Sequence, residues 1–326
     1  MHTIAIRINK HGNADVLDLD EVPIAPPGRS EVQIRQSAIG LNFADIYQRN
    51  GAHGPHAAAP FPITLGSVGA GVVTAVGEDV VGLAIGQRVA YLHPGAYQVT
   101  RNVPADRVVP LPATITEQVA GATLLRGLTA EYLLRRLYVV RPGDVVLVHA
   151  AAGGMGVLLS QWARALGATV IGTVGSEAKR AVALRNGCNH VINYRKADFV
   201  ADVLALTQGG GVSVVYDAVG KDVFVPSLQC LKPCGMAINY GTASGDVQAF
   251  DLQLLHARSL IVCRPTLRTF IADAASLRSA ASVLFAAVEA GSLKLEVGQT
   301  FALADVRQAH RMLEGRATTG ATVLIP

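Results

Sequence analysis

Residues 151–156, Ala-Ala-Gly-Gly-Met-Gly, have the composition of a phosphate cradle. Small side chains let a backbone approach a pyrophosphate, and a helix start offers free N–H groups and a positive dipole end. The spacing Ala151-x-Gly153-x-x-Gly156 is the dinucleotide fingerprint with alanine in the first glycine position. Alone, it also describes a glycine-rich turn in any α/β domain. A second signal lies at the next strand end. An NAD enzyme places Asp or Glu there, to accept from the ribose 2′-OH. This chain has Thr173-Val174-Gly175-Ser176, with Lys179 one turn into the following helix. A carboxylate would repel a 2′-phosphate, whereas a lysine, a hydroxyl and helix N–H groups attract it. A hydrogen bond to a charged group is worth roughly 1.5–3 kcal/mol, so the residues predict NADPH over NADH. The expected holders are Gly153, Gly154, Met155, Gly156, Gly175, Ser176 and Lys179; Arg180 reads as a solvated helix charge.

These residues need strands and helices to position them. Val145–Val148 is an apolar run of the length of a buried parallel strand, and Val157–Leu166 has helical spacing, stopped by Gly167. Thr169–Val174 reads as a second strand, and Ser176 opens a helix that Gly187 closes. Further strands are expected at His190–Tyr194, Val212–Gly220, Gly235–Thr242 and Ser259–Cys263. Ligands bind at the strand ends of an open parallel sheet, which brings Ala218, Tyr240, Gly241 and Thr242 toward the nicotinamide half. Ser259–Cys263 is expected at the sheet edge. An exposed apolar edge is a liability that pairing with a twin would remove, giving a homodimer. The fold class is therefore α/β, with a doubly wound sheet over residues 125–266. Leu124–Leu134 reads as the helix linking it to residues 1–124, where short strands such as Val32–Arg35, Gly69–Gly77 and Gly86–Tyr91 suggest a small barrel. The tail, 267–326, reads as a helix over 273–290, a strand over 293–303, a short helix over 305–313 and a last strand over 321–325.

At 326 residues the chain is long enough for two cores, and 50% hydrophobic with 16% charged residues describes a globular protein. A net charge of +4 with no Lys/Arg run argues against a nucleic-acid partner. The strand-like start, Met1–Arg7, does not read as a signal peptide, and no apolar stretch is long enough to span a membrane, so a cytoplasmic protein is expected. Cys188, Cys230, Cys234 and Cys263 are scattered and lack usual zinc spacing; they read as small hydrophobes in a reducing cytosol.

Gly143-Asp144, Leu147, Ala151-Ala152-Gly153-Gly154-x-Gly156, Gln161 and Arg164 resemble, position for position, the signature of the zinc-free quinone oxidoreductases related to ζ-crystallin, in the medium-chain dehydrogenase/reductase family. The resemblance runs from Ala38–Phe43 to Gly315–Thr318 and is strongest to the bacterial NADPH:quinone oxidoreductases. It implies a GroES-like catalytic domain over 1–124 and 267–326, a Rossmann domain over 125–266, a homodimer, and transfer of a hydride, or in some members single electrons, from NADPH to a quinone. Reduction restores aromaticity and water can protonate the oxygens, so orientation and water exclusion suffice.

Metal-bearing relatives have a zinc-ligand cysteine where Asn42 stands and Gly-His-Glu near Leu65–Val68; three protein ligands are needed, so no metal is expected. Asn42 then faces nicotinamide or substrate, or satisfies its own loop. Tyr47 lies over the nicotinamide ribose or packs in the core. Asp45 holds the loop or touches cofactor, and Phe43 is expected to bind the cofactor. The resemblance further implies Thr129 near the nicotinamide, Tyr194 at the adenosine phosphate end, and Arg264 and Arg316 on the cofactor phosphates. Two departures bear on the substrate: Val68 replaces an acid, so the barrel must satisfy its neighbours differently, and His53 in the loop Gly51–His56 replaces an aromatic residue. The alternatives are an NADPH-dependent reductase of activated C=C bonds (enones or alkenals), with Tyr47 as proton donor, and a non-catalytic NADPH- or RNA-binding crystallin-like protein.

Overall fold

Along the strand Glu31–Leu41, Val32 and Ile34 are fully buried while Arg35 is exposed, the alternation of a sheet with one wet face. From Ala38 onward every residue is buried, because a helix packs on the other side. A β-carbon on Gly40 would lie 2.3 Å from the carbonyl oxygen of Gly121 in helix Glu117–Tyr132, so only glycine permits that approach. The computed structural model describes residues 1–52, 60–315 and 317–326; His53 and Arg316 lie outside the described residues.

The chain divides into two units. The first comprises Met1–Gly127, Ile271–Glu289 and Leu295–Pro326. Its larger sheet runs in the order Val297–Ala302, Ala321–Ile325, Glu31–Leu41, Val68–Val76, Arg88–Leu92, Val108–Pro110, with Thr100–Pro104 also paired to Glu31–Leu41. A smaller sheet joins Asp18–Pro23, His2–Ile8 and Ile63–Thr64. The core between them includes Ile6, Ile34, Leu65, Tyr91, Tyr97 and Val306. Helix α1, Phe43–Asn50, leaves the strand end at Asn42 and is stopped by Gly51, whose φ of 75° is the left-handed C-cap conformation.

The second unit, Leu128–Phe270 with Ala290–Lys294, holds the parallel sheet. Its order is His190–Asn193, Thr169–Val174, Val145–Val148, Val212–Asp217, Leu231–Asn239, Ile261–Cys263. This is the doubly wound 3-2-1-4-5-6 arrangement, with its reversal point between Val145–Val148 and Val212–Asp217. Val212–Asp217 is buried along its whole length, as a strand covered on both faces must be. The fifth strand begins at Leu231 rather than Gly235. Leu231 already pairs with Val212; Cys234, at φ 59°, then bulges out before Met236 pairs with Val214. Among the described residues no helix is long and apolar enough to cross a membrane.

Candidate active site

In the second unit, strand Val145–Val148 ends in a tight turn. Ala150 takes φ 53°, its carbonyl accepts the Gly153 N–H at 2.8 Å, and the Ala151 N–H donates to Thr173 O at 2.9 Å. Helix α3 follows over Gly154–Ala165 with Gly153 as its N-cap. The N–H groups of Gly154, Met155 and Gly156 precede the first helical hydrogen bond, and Gly153–Met155 are half-buried, open to a ligand. His149, which sequence reasoning overlooked, is the brace. Ser227 Oγ donates to Val223 O, so it accepts from His149 Nε2 at 2.8 Å, and Nδ1 then accepts the Thr173 hydroxyl at 2.9 Å. Burial pushes the imidazole down to about 3, so it is neutral.

At the next strand end Gly175 meets Tyr194: a β-carbon there would stand 2.9 Å from the phenol oxygen. Ser176 is the N-cap of α4, Glu177–Arg185, and Lys179 sits in its first turn, half-buried. The acid of that turn, Glu177, pairs with Arg180 at 3.7 Å, and Arg180 donates to Val191 O at 2.7 Å. Gly175, Ser176, Lys179 and Tyr194 therefore share one corner, while Arg180 ties the helix to a strand.

The ends of the fourth and fifth strands are stitched by Asp217. Fully buried, it accepts from Val219 N–H at 2.7 Å, Gly220 N–H at 3.1 Å and Asn239 Nδ2 at 2.8 Å. Burial outweighs these donors and pushes the carboxyl up to about 6. Asn239 Nδ2 also reaches Gly241 O at 2.9 Å, and Gly241 backs onto Ala218. Thr242 is buried beside them; the Tyr240 hydroxyl is buried with no partner among the described residues. Arg264 is exposed, with its guanidinium on Asn239 Oδ1 and 3.7 Å from Asp246. Thr129 is buried in α2 (Glu117–Tyr132), in the part belonging to this unit.

In the first unit, Asn42 caps α1 and is 7% exposed; its Nδ2 has no partner among the described residues. Phe43 and Tyr47, one turn apart, are half-buried with ring centroids 6.2 Å apart. Asp45 is 0% exposed. It accepts the Asn42 N–H at 2.8 Å and the Ser67 hydroxyl at 3.1 Å, with the Tyr97 hydroxyl as a polar neighbour, so it braces the loop. Burial nevertheless pushes it up to about 7, against these bonds and the Arg126 charge. Val68 is fully buried, and Asp45 is the carboxylate that faces the buried Arg126, which also donates to Gly320 O at 3.2 Å and to Ala122 O. Tyr97, Arg49 and His310, which continue this network behind Asp45, had no signal in the sequence beyond being polar residues in apolar surroundings.

Residues 28–136 match the family described as alcohol dehydrogenase GroES-like domain, and residues 154–284 match the zinc-binding dehydrogenase family. The chain is similar to a quinone oxidoreductase of Salmonella typhimurium, at 44% identity over 98% of this chain and 99% of that one. It is similar to a 2-haloacrylate reductase of Burkholderia sp, at 42% identity over 99% of each. Among solved structures, Escherichia coli quinone oxidoreductase complexed with NADPH superposes with a TM-score of 0.95, at 41% identity over 99% of this chain and 100% of that one.

The zinc in the second family's description does not fit the residues here. The loop presents Asn42 and Ser67 beside apolar Val68, and Asp45 is engaged with its own donors. A catalytic zinc takes three Cys, His or carboxylate ligands, and no such group of three occurs among the described residues.

Proposed function

We propose, from the premise that this chain belongs to the quinone oxidoreductases of the medium-chain dehydrogenase/reductase family, that it reduces quinones with NADPH and without a metal. The observation that carries the reading is the corner formed by Gly175, Ser176, Lys179 and Tyr194, where Gly175 and Ser176 hold the place of the carboxylate that selects NADH and a lysine follows one turn on. When bound, NADPH supplies a hydride from C4 of its nicotinamide.

The residues that hold the cofactor divide along the sheet. Gly153, Gly154, Met155 and Gly156 receive the pyrophosphate at the start of α3. Ser176, Lys179 and Tyr194 take the 2′-phosphate end. Ala218, Tyr240, Gly241, Thr242 and Thr129 line the nicotinamide half, and Arg264 and Arg316 serve the phosphates. Arg264 must leave Asp246 to do so, which is a small step for an exposed pair. On the substrate side, Asn42 donates from its unpartnered Nδ2 to a carbonyl oxygen as that oxygen gains charge. Phe43 and Tyr47 offer aromatic surface to a flat ring.

A second reading, reduction of an activated C=C bond, is favoured by the likeness to 2-haloacrylate reductase. It needs a proton donor, for which Tyr47 is the candidate. Mixing the protein with NADPH and either 1,4-benzoquinone, 9,10-phenanthrenequinone or an enone, and following the reduced nicotinamide absorbance, separates the two. Oxidation with the enone alone would replace the quinone reading.

The edge strand Ile261–Cys263 pairs on one side only and leaves Ile261 48% exposed. Pairing with a second copy would cover it, and a monomer in sedimentation analysis would refute a dimer. Four free thiols accord with a reducing cytoplasm.

A further inference from the structure

A chain of buried polar groups runs behind the head of α1. Arg49, 1% exposed, donates to Nδ1 of His310 at 3.0 Å and to both carboxylate oxygens of Glu314. Arginine can only donate, so Nδ1 accepts and the ring proton sits on Nε2. Nε2–H then donates to the Tyr97 hydroxyl oxygen at 3.0 Å. The remaining Tyr97 proton is then free to turn toward the neighbouring Asp45, whose charge it favours. Asp45 finally accepts from the Asn42 backbone N–H and the Ser67 hydroxyl. The direction of each bond from Arg49 through His310 to Tyr97 is thereby fixed. Tyr97 and His310 are both 0% exposed, so neither can replace a lost partner with bulk water.

We propose that His310 and Tyr97 are positioning residues of the substrate side: they hold a donated proton on Asp45, and Asp45 holds Asn42 with its amide presented. The proposal rests on the reading of Asn42 as the substrate's hydrogen-bond donor. The chain is not a proton path, because Arg49 does not give up its proton. It fixes charge and geometry. The groups facing Asp45 are Asn42, Ser67, Tyr97 and, through its charge, Arg126; Arg49 acts on Tyr97 from behind. Removing the Tyr97 proton takes away one interaction that favours the ionised carboxylate, leaving Asp45 protonated to higher pH.

The test compares wild type with Tyr97→Phe, His310→Phe and His310→Gln, measuring kcat and KM for 1,4-benzoquinone with NADPH from roughly pH 5.5 to 8.5. Wild-type kcat should fall on the acid side as Asp45 protonates, near about pH 7. In Tyr97→Phe and His310→Phe that limb moves up by about one pH unit, with NADPH affinity unchanged. His310→Gln can accept from Arg49 and donate to Tyr97, and restores the limb. An acid limb at the same pH in all four folded proteins overturns the proposal. If the wild type reduced no quinone, the functional reading would fall, and the relay would be read from urea unfolding instead. A carboxyl raised in the folded state loses stability as pH climbs to its folded pKa, so the Tyr97→Phe midpoint keeps falling about one pH unit beyond the wild-type plateau. Coincident profiles there overturn the relay independently.

Discussion

Gly156 stands so close to Ala150 that a β-carbon on it would lie 2.3 Å from the Ala150 carbonyl oxygen. The next nearest atom, Ala151 Cα at 2.6 Å, is also backbone, so no flexible side chain can give way. Gly156→Ala therefore has to push α3 off the strand end, moving the N–H groups that face the pyrophosphate. Alanine gains about 1 kcal/mol in helix propensity, but overpacking costs about 1–3 kcal/mol. The expected result is net destabilisation in urea and at least about tenfold weaker NADPH binding by calorimetry. Unchanged binding would remove close helix–turn packing as the reason for this glycine.

Lys179 decides between the two coenzymes. Its interaction with a 2′-phosphate is worth roughly 1.5–3 kcal/mol, and partial exposure with salt screening places it at the lower end. Lys179→Ala should weaken NADPH about tenfold and leave NADH as it was. Titration of wild type with both coenzymes checks the premise: equal affinity would overturn the assignment of this corner.

His149 gives a pH signature of known sign. Its pKa is lowered to about 3 in the folded protein from 6.5, so the unfolded chain takes up a proton first as pH falls. Stability from this group is present above about pH 6.5 and is lost toward pH 3, at up to about 1.4 kcal/mol per pH unit. Asp45 and Asp217, raised to about 7 and about 6, act oppositely in part of that window. Comparing His149→Gln with wild type cancels their contribution. The variant should be less stable at neutral pH, by about 1–3 kcal/mol for the disrupted bridge to Thr173 and Ser227, and should close that gap as the solution is acidified. A gap independent of pH would mean that the ring titrates alike in both states.

The doubly wound sheet was legible because its strands are short apolar runs punctuated by glycine, a pattern that burial on both faces imposes. The loop Asn42–Tyr47 and the corner at Lys179 stand out as candidates through residue type at fixed positions. Arg264 was not: that its guanidinium rests on Asn239 and Asp246 depends on two neighbouring strand ends, which no local spacing encodes. The same holds for His310, which lies 213 residues from its partner Tyr97 and 261 from Arg49. Asp45 was legible as a loop residue with two roles open. Its complete burial and its bonds from Asn42 N–H and the Ser67 hydroxyl place it as the loop's brace, a distinction that only packing could make.

Asn42 separates function from stability. A buried amide donor without a partner costs free energy in the resting protein, and such a group is retained where a ligand supplies the missing acceptor. Asn42→Ser keeps an oxygen at the N-cap of α1, so the helix start is preserved, but removes Nδ2. Stability should therefore change by less than about 1 kcal/mol. If the amide donates to the substrate oxygen as charge builds there, kcat for 1,4-benzoquinone falls about 10- to 100-fold while KM moves little, because the bond strengthens in the transition state rather than on binding. A rise in KM with kcat intact would make Asn42 a substrate-binding residue only. Wild-type kinetics in a stably folded variant would show that the loop alone, not the substrate, is what Asn42 serves.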